Sequence, residues 1–320
     1  VVKSRHAQSS ATEGRNPRTR DLDRKSTLKI LQALNREDRS VAEAVRRELP
    51  AIARAVDLVV EALQRGGRLF YVGAGTSGRL GTLDASEIPP TFGTSPNMVQ
   101  ALIAGGPKAL VKSVEGAEDS AAQGKKDLAA RGLTSRDVVV GIAASGSTPY
   151  VLGALQLAKQ RGASTIGLTS NRKSAIARRV KILIATETGP EAIGGSTRMK
   201  AGTAHKLALN MLSTTAMIRL GYVYDNWMIN VAQSNEKLKR RAVKILEQAA
   251  GLEARTAEHI MRQAGDDLRV ALVMAKTNQD RGRAQSRLAK AGGNVRLAIE
   301  AAARSGQRTG RTGMGAGAKP

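Results

Sequence analysis

The feature that most constrains this chain is a motif that occurs twice. A short β-type run ends in a loop of glycine and hydroxyl residues, and the loop opens a helix. Residues 68–72 lead into Gly73-Ala74-Gly75-Thr76-Ser77-Gly78. Residues 137–142 lead into Ala143-Ala144-Ser145-Gly146-Ser147-Thr148, with Pro149 suited to a first helical turn. A strand that passes directly into a helix is the repeating unit of a parallel sheet, because parallel neighbours need a crossover. Three further β-type runs, at 98–103, 164–168 and 180–185, bring the number to five, and helical patterns at 117–130 and 149–161 lie among them. The pattern predicts an α/β fold: a doubly wound, parallel five-stranded sheet with flanking helices. Ligands of such sheets sit at the carboxyl ends of the strands, where these loops fall.

The flanks read differently. Residues 1–25 are polar and predict an irregular N-terminal arm. A helical pattern starts at Leu28 and is expected to stop at Asn35. A second covers 41–64, kinked or split at Pro50 and stopped by Gly66-Gly67. A long helix over 197–220 carries Met199, Met211 and Met217, read as core, and another covers 230–249. Residues 264–272 and 291–299 repeat one another. Each copy is a helix end, a glycine, a capping Asp267 or Asn294, and a new helix. The expected organisation is an arm at 1–25, a sugar-phosphate-binding sheet domain with its helices at 26–250, a small C-terminal helical domain at 252–303 and a disordered tail at 304–320.

Charge sets further bounds. The net charge is +24, yet residues 51–150, which hold most of the motifs, carry 10 basic and 9 acidic side chains. Residues 151–320 supply +18 of the excess and residues 1–50 another +5. One Trp, four Tyr and two Phe give few rings for base stacking, so no specific nucleic-acid partner is expected. The absence of cysteine excludes disulfides, cysteine–zinc sites and thiol nucleophiles, and suits a reducing cytoplasm. No apolar run reaches membrane-spanning length, so no membrane partner is expected. His6, His205 and His259 are scattered and form no metal pattern; no metal or cofactor is expected. His205 reads as a partly buried polar residue, with ligand contact as the alternative.

The first loop fits the dinucleotide fingerprint, but the second strand ends Ile103-Ala104-Gly105-Gly106, without the acid that would hold a ribose. Thr76 and Ser77, beside backbone N–H groups at a helix start, suit a phosphate monoester instead. Ser145 and Thr148 are helix caps taken singly and a second phosphate grip taken with the first loop. Glu87, in Leu83-Asp84-Ala85-Ser86-Glu87, and Glu118, in Val114-Glu115-Gly116-Ala117-Glu118-Asp119, are either solvated carboxylates or a general acid and base. Asp84 and Asp119 read as structural, with the orienting of a catalytic neighbour as the alternative.

With these motifs the chain resembles the N-acetylmuramic acid 6-phosphate etherases, which carry a sugar-isomerase (SIS) domain. The resemblance extends through Pro89-Pro90, Thr148-Pro149-Tyr150, residues 198–203 and residues 209–213. It implies cleavage of the D-lactyl ether of N-acetylmuramic acid 6-phosphate, without a metal, in cell-wall sugar recycling by a homodimer. It implies Glu87 and Glu118 as the catalytic pair, and Thr76, Ser77, Ser145 and Thr148 as phosphate ligands. Gly75, Ser147, Asn171 and Lys200 are further candidate substrate contacts. It also implies that the C-terminal repeat is a ubiquitin-associated-like domain. Many relatives have Arg where this chain has Ser147.

The chemistry expected from the resemblance is elimination followed by addition. Ring opening unmasks an aldehyde at C1 and makes the C2 proton acidic. A base removes that proton, lactate leaves C3 with help from an acid, and water adds back. Glu87 is expected to protonate the lactate oxygen and Glu118 to assist at C2, or the reverse. Burial is expected to raise the pKa of one of them. The rival reading is a non-catalytic sugar-phosphate-binding regulator of the SIS class, which would need neither glutamate.

Overall fold

The computed structural model describes residues 13–230 and 236–311, with side chains through residue 304. The chain divides into two compact units, one made of residues up to Ile88 and of Ser95–Ala216, the other of Pro89–Thr94 and the chain from Met217.

The first unit is built on a parallel sheet. Its strands are β1 (Leu69–Gly73), β2 (Val99–Ile103), β3 (Val138–Ile142), β4 (Ser164–Thr169) and β5 (Ile182–Ala185), in the order β2-β1-β3-β4-β5. Helices α1 (Thr27–Arg46), α2 (Leu49–Gln64), α3 (Gly75–Phe92), α4 (Ala121–Ala129), α5 (Pro149–Gln160) and α6 (Lys200–Arg219) surround it, with α3 and α6 running on past the unit's edge. β1 and β3 are buried along their whole lengths, as the middle strands of a sheet covered on both faces must be. Phe70, Val72, Val139, Leu102 and Leu128 pack with Val151, Ala154 and Leu155 of α5.

The five strands fall where the alternating pattern predicts them. The helical flank differs in detail. Asn35 does not end α1; it lies on the exposed side of a helix that continues to Arg46. Its helix-breaking tendency is weak beside the burial of Ala33, Val41, Ala44 and Val45 on the opposite face. Pro50 splits the second pattern, standing in the first turn of α2 where a missing N–H costs nothing. In the arm, Pro17–Thr19 and Leu22–Arg24 form 3-10 turns.

The second unit holds a short antiparallel hairpin, β6 (Val223–Tyr224) with β7 (Trp227–Met228), and helices α7 (Glu236–Ala250), α8 (Ala254–Gln263), α9 (Leu268–Thr277), α10 (Arg281–Lys290) and α11 (Val295–Arg311). Ala242, Ile245 and Leu246 of α7 share a core with Met261, Leu272, Val273, Leu288 and Ala298. Packing therefore draws the boundary at Met217, upstream of the expected 252. Both repeat copies contain the expected cap: Asp267 accepts from the amides of Arg269 and Val270, and Asn294 from that of Leu297. α11 runs on to Arg311, into the span expected to be a tail; the rest of that span lies outside the described residues. Met217 is buried, but Met211 is 37% exposed, so the methionines do not form one core stripe. No helix among the described residues is long and apolar enough to cross a membrane.

Candidate functional site

β1 and β3 are neighbours, with Gly73 in register with Ile142, while their outgoing connections lead to opposite sides of the sheet. This is the switch point at which the strand order 2-1-3-4-5 opens a crevice. The loops after β1 and β3 face one cavity of about 390 Å³, lined by Thr76, Ser77, Ser145, Ser147, Thr148 and Glu118 among others.

Two glycines make the loops possible. A Cβ on Gly78 would lie 2.5 Å from Ile103 Cγ1 and 2.9 Å from the Gly73 carbonyl oxygen, so only glycine lets α3 start this close to the sheet. Gly146 has φ +67°, and a Cβ there would lie 2.3 Å from the Ser174 hydroxyl. The second loop is also tied from behind. The Ala144 carbonyl accepts from the Ser170 amide at 3.0 Å and the Thr169 hydroxyl at 3.1 Å.

The donors are neutral. Thr148 is the N-cap of α5, and its side chain makes no capping bond. Ser147 donates from its amide and its hydroxyl to Ser145 Oγ, at 3.2 and 3.0 Å, so the two serines act together. The N-terminus of α6 is closed: the fully buried Glu191 carboxylate accepts from the amides of Lys200 and Ala201, both at 2.9 Å. No lysine or arginine is found among the described lining residues. Nor do three His, Cys, Asp or Glu side chains gather as a metal cluster among the described residues.

Glu118 reaches the cavity from the 3-10 turn Ala117–Asp119, and it also lines a smaller neighbouring cavity of about 200 Å³ with Arg79 and Glu115. Gly75 lines both. Glu87 does not join them. It is exposed on α3, twelve residues beyond Gly75, roughly 18 Å along the helix. One chain thus does not bring the two glutamates together, and neither is buried as expected. The buried carboxyl of this region is Asp84, which accepts from Tyr71 Oη at 2.9 Å and Ser213 Oγ at 3.0 Å; burial pushes its pKa up to about 6.

Two further candidates lie elsewhere. Lys200 is fully buried, and its ammonium is bound to Glu37 at 2.7 Å, so it is structural. Asn171 closes its own turn, its side-chain oxygen accepting from the Lys173 amide, and is not a lining residue. His205 is fully buried beside Ser170, and burial pushes its pKa down to about 4.

Three polar lining residues were not candidates from the sequence: Glu13, Asp119 and Thr197. Asp119 adjoins Glu118, and its sequence pattern suits a structural or positioning carboxylate. Glu13 carries no local signal, because the fold alone brings the arm to the loops.

The 2-1-3-4-5 parallel sheet is an architecture that SIS domains share with other doubly wound folds, and the family models place this chain among the SIS-domain proteins. Residues 113–215 match the SIS domain model, and residues 51–159 match the model of the glucokinase regulatory protein N-terminal SIS domain. A phosphoheptose isomerase from Francisella tularensis, 20% identical, superposes over 60% of this chain and 98% of its own with a TM-score of 0.49. Relatives much more alike are the N-acetylmuramic acid 6-phosphate etherase 1 of Bacillus licheniformis, 48% identical over 93% of this chain and 98% of its own, and the etherases of Geobacillus thermodenitrificans (51%, 91% and 98%) and Serratia proteamaculans (54%, 90% and 97%). The chain belongs to the N-acetylmuramic acid 6-phosphate etherase family.

Proposed function

We propose that this chain cleaves the D-lactyl ether of N-acetylmuramic acid 6-phosphate, giving N-acetylglucosamine 6-phosphate and D-lactate, by elimination and water addition in cell-wall sugar recycling. The observation that carries this reading is the single cavity in which Glu118 meets the hydroxyl loops of β1 and β3. Thr76, Ser77, Ser145 and Thr148, with the amides of the helix starts, hold the phosphate. Gly75 lets the backbone approach it, and Ser147 shares the load with Ser145. Fixing the phosphate at one end of the sugar places the distant C2–C3 bond against the carboxylate, so binding energy is used for alignment.

Glu118 removes the C2 proton, and the electron pair forms the C2–C3 double bond as the C3–oxygen bond breaks. A second carboxyl group protonates the departing lactate oxygen. Water then adds to C3 and a proton returns to C2. No step calls for a metal, since the C1 aldehyde supplies the activation.

Glu87 is the second carboxyl group. Because it stands roughly 18 Å along α3 from its own cavity, it serves the cavity of a second copy, and the working unit is a homodimer. The C-terminal repeat, read as a ubiquitin-associated-like module, takes no part in these steps. An enzyme of this kind, with no cysteine, works in the cytoplasm as a carbon–oxygen lyase.

The test is incubation with N-acetylmuramic acid 6-phosphate in doubly labelled water. D-Lactate release with label at the C3 oxygen and C2 hydrogen is expected. Binding without D-lactate release would make the chain a sugar-phosphate-binding regulator instead.

A further inference from the structure

One wall of the cavity comes from outside the sheet. Glu13, in the N-terminal arm, lines it together with Thr76, Ser145, Thr148 and Glu118. The arm is held there by a clasp a few residues further on. Asn16 is buried and donates to Glu37 Oε2 at 2.7 Å and to the Pro190 carbonyl at 3.2 Å. Arg18 forks onto both oxygens of Glu37, at 2.5 and 2.9 Å, and Thr19 donates to the Ala192 carbonyl at 2.8 Å. Glu37, itself buried, also takes the Lys200 ammonium, so three donors converge on one carboxylate. Beyond the clasp, the arm runs along the 190–195 turn. A Cβ on Gly195 would lie 3.1 Å from Glu13 Oε2, so glycine there makes room for this carboxylate.

A phosphate repels a carboxylate, and the cavity already has its phosphate grip in the loops after β1 and β3. A carboxylate on another wall can only accept hydrogen bonds, and a sugar offers O–H and N–H donors. We infer that Glu13 is a further substrate-binding residue: it accepts a hydrogen bond from a hydroxyl or the amide N–H of the amino sugar, and the Asn16–Glu37–Arg18 clasp holds it in reach. The inference rests on the reading of the cavity as a sugar-phosphate site. Glu13 is exposed, so replacing it leaves the fold unaffected.

The experiment is calorimetric titration of the full chain and its Glu13→Ala and Glu13→Gln variants with two probes, N-acetylglucosamine 6-phosphate and inorganic phosphate, alongside steady-state D-lactate release and a melting curve. Expected are a loss of about tenfold or more in sugar-phosphate affinity for Glu13→Ala, with phosphate affinity within about twofold of wild type. The rise should fall mainly on KM, and Glu13→Gln, which keeps an acceptor oxygen, should recover part of it. An unchanged affinity for the sugar phosphate overturns the inference, and so does an equal loss for both probes. A lowered melting temperature also overturns it, since Glu13 would then be part of the clasp. If the wild-type chain binds neither probe, the reading of the cavity itself fails first.

Discussion

Tyr71 Oη lies 2.9 Å from Asp84 Oδ2, and both side chains are buried between β1 and α3. Ser213 closes the other carboxyl oxygen at 3.0 Å. Burial, the largest influence, raises the Asp84 pKa from 3.8 to about 6, against the hydrogen bonds of Tyr71 and Ser213 and the charge of Lys206. The folded state therefore favours the protonated acid. Its contribution to stability is fully present below about pH 4 and is lost as pH rises through 6.

Asp84→Asn keeps the shape and stays neutral. We expect its stability advantage over wild type to grow by about 1.4 kcal/mol between pH 5 and pH 8, the interval over which wild type loses the rest of this contribution. Urea unfolding at the two pH values measures this. A variant destabilised equally at both would show that the hydrogen bonds outweigh the burial.

Glu37 behaves oppositely. Arg18 first, then Lys200 and Asn16, hold its pKa down at about 2 against the effect of burial. That stability is present above about pH 4.5 and is lost as pH falls through 2. Glu37→Gln leaves the Lys200 ammonium buried without a counter-charge and should cost about 3 kcal/mol. The double variant Glu37→Gln/Lys200→Met should cost less than Glu37→Gln alone. Thermal unfolding of the set gives the coupling; strict additivity would mean the pair does not interact.

Gly146→Ala places a methyl group into Ser174 while keeping a positive φ. Sugar-phosphate affinity should fall by about a hundredfold as the 145–148 loop moves. Ser174→Gly in the same chain should restore part of it, because the Ser174 clash is relieved while the 2.8 Å approach to Thr169 Oγ1 and the backbone strain remain. Calorimetry on the two variants decides, and full binding by Gly146→Ala would remove this loop from the site.

Glu87→Gln and Glu118→Gln should each lower D-lactate release by about a hundredfold or more. Unfolded together and refolded as a mixture, they should regain up to about a quarter of wild-type activity, since half the dimers are mixed and each mixed dimer has one complete site. Absence of any recovery would place both carboxyl groups within one chain.

The sheet was legible because each strand runs straight into a glycine loop, a pattern local in sequence. The loop hydroxyls were legible for the same reason. The two glutamates show the limit of spacing. Glu87 looks adjacent to the first loop in sequence, yet a straight helix carries it away along α3. Lys200 stands in a motif that the family shares, but only the folded chain shows its ammonium committed to Glu37, 163 residues distant. Glu13 was silent because nothing local marks a residue whose position is set by a clasp on α1 and on the 190–195 turn.

A phosphate grip made of hydroxyls and amides has no titrating cation. Among the described lining residues there is no ammonium to lose its charge in alkali, so the proposed grip carries no alkaline limit of its own. What remains is the ligand's own second ionisation, near pH 6 for a phosphate monoester. The substrate, rather than the protein, then sets the acidity at which the handle is gripped or released.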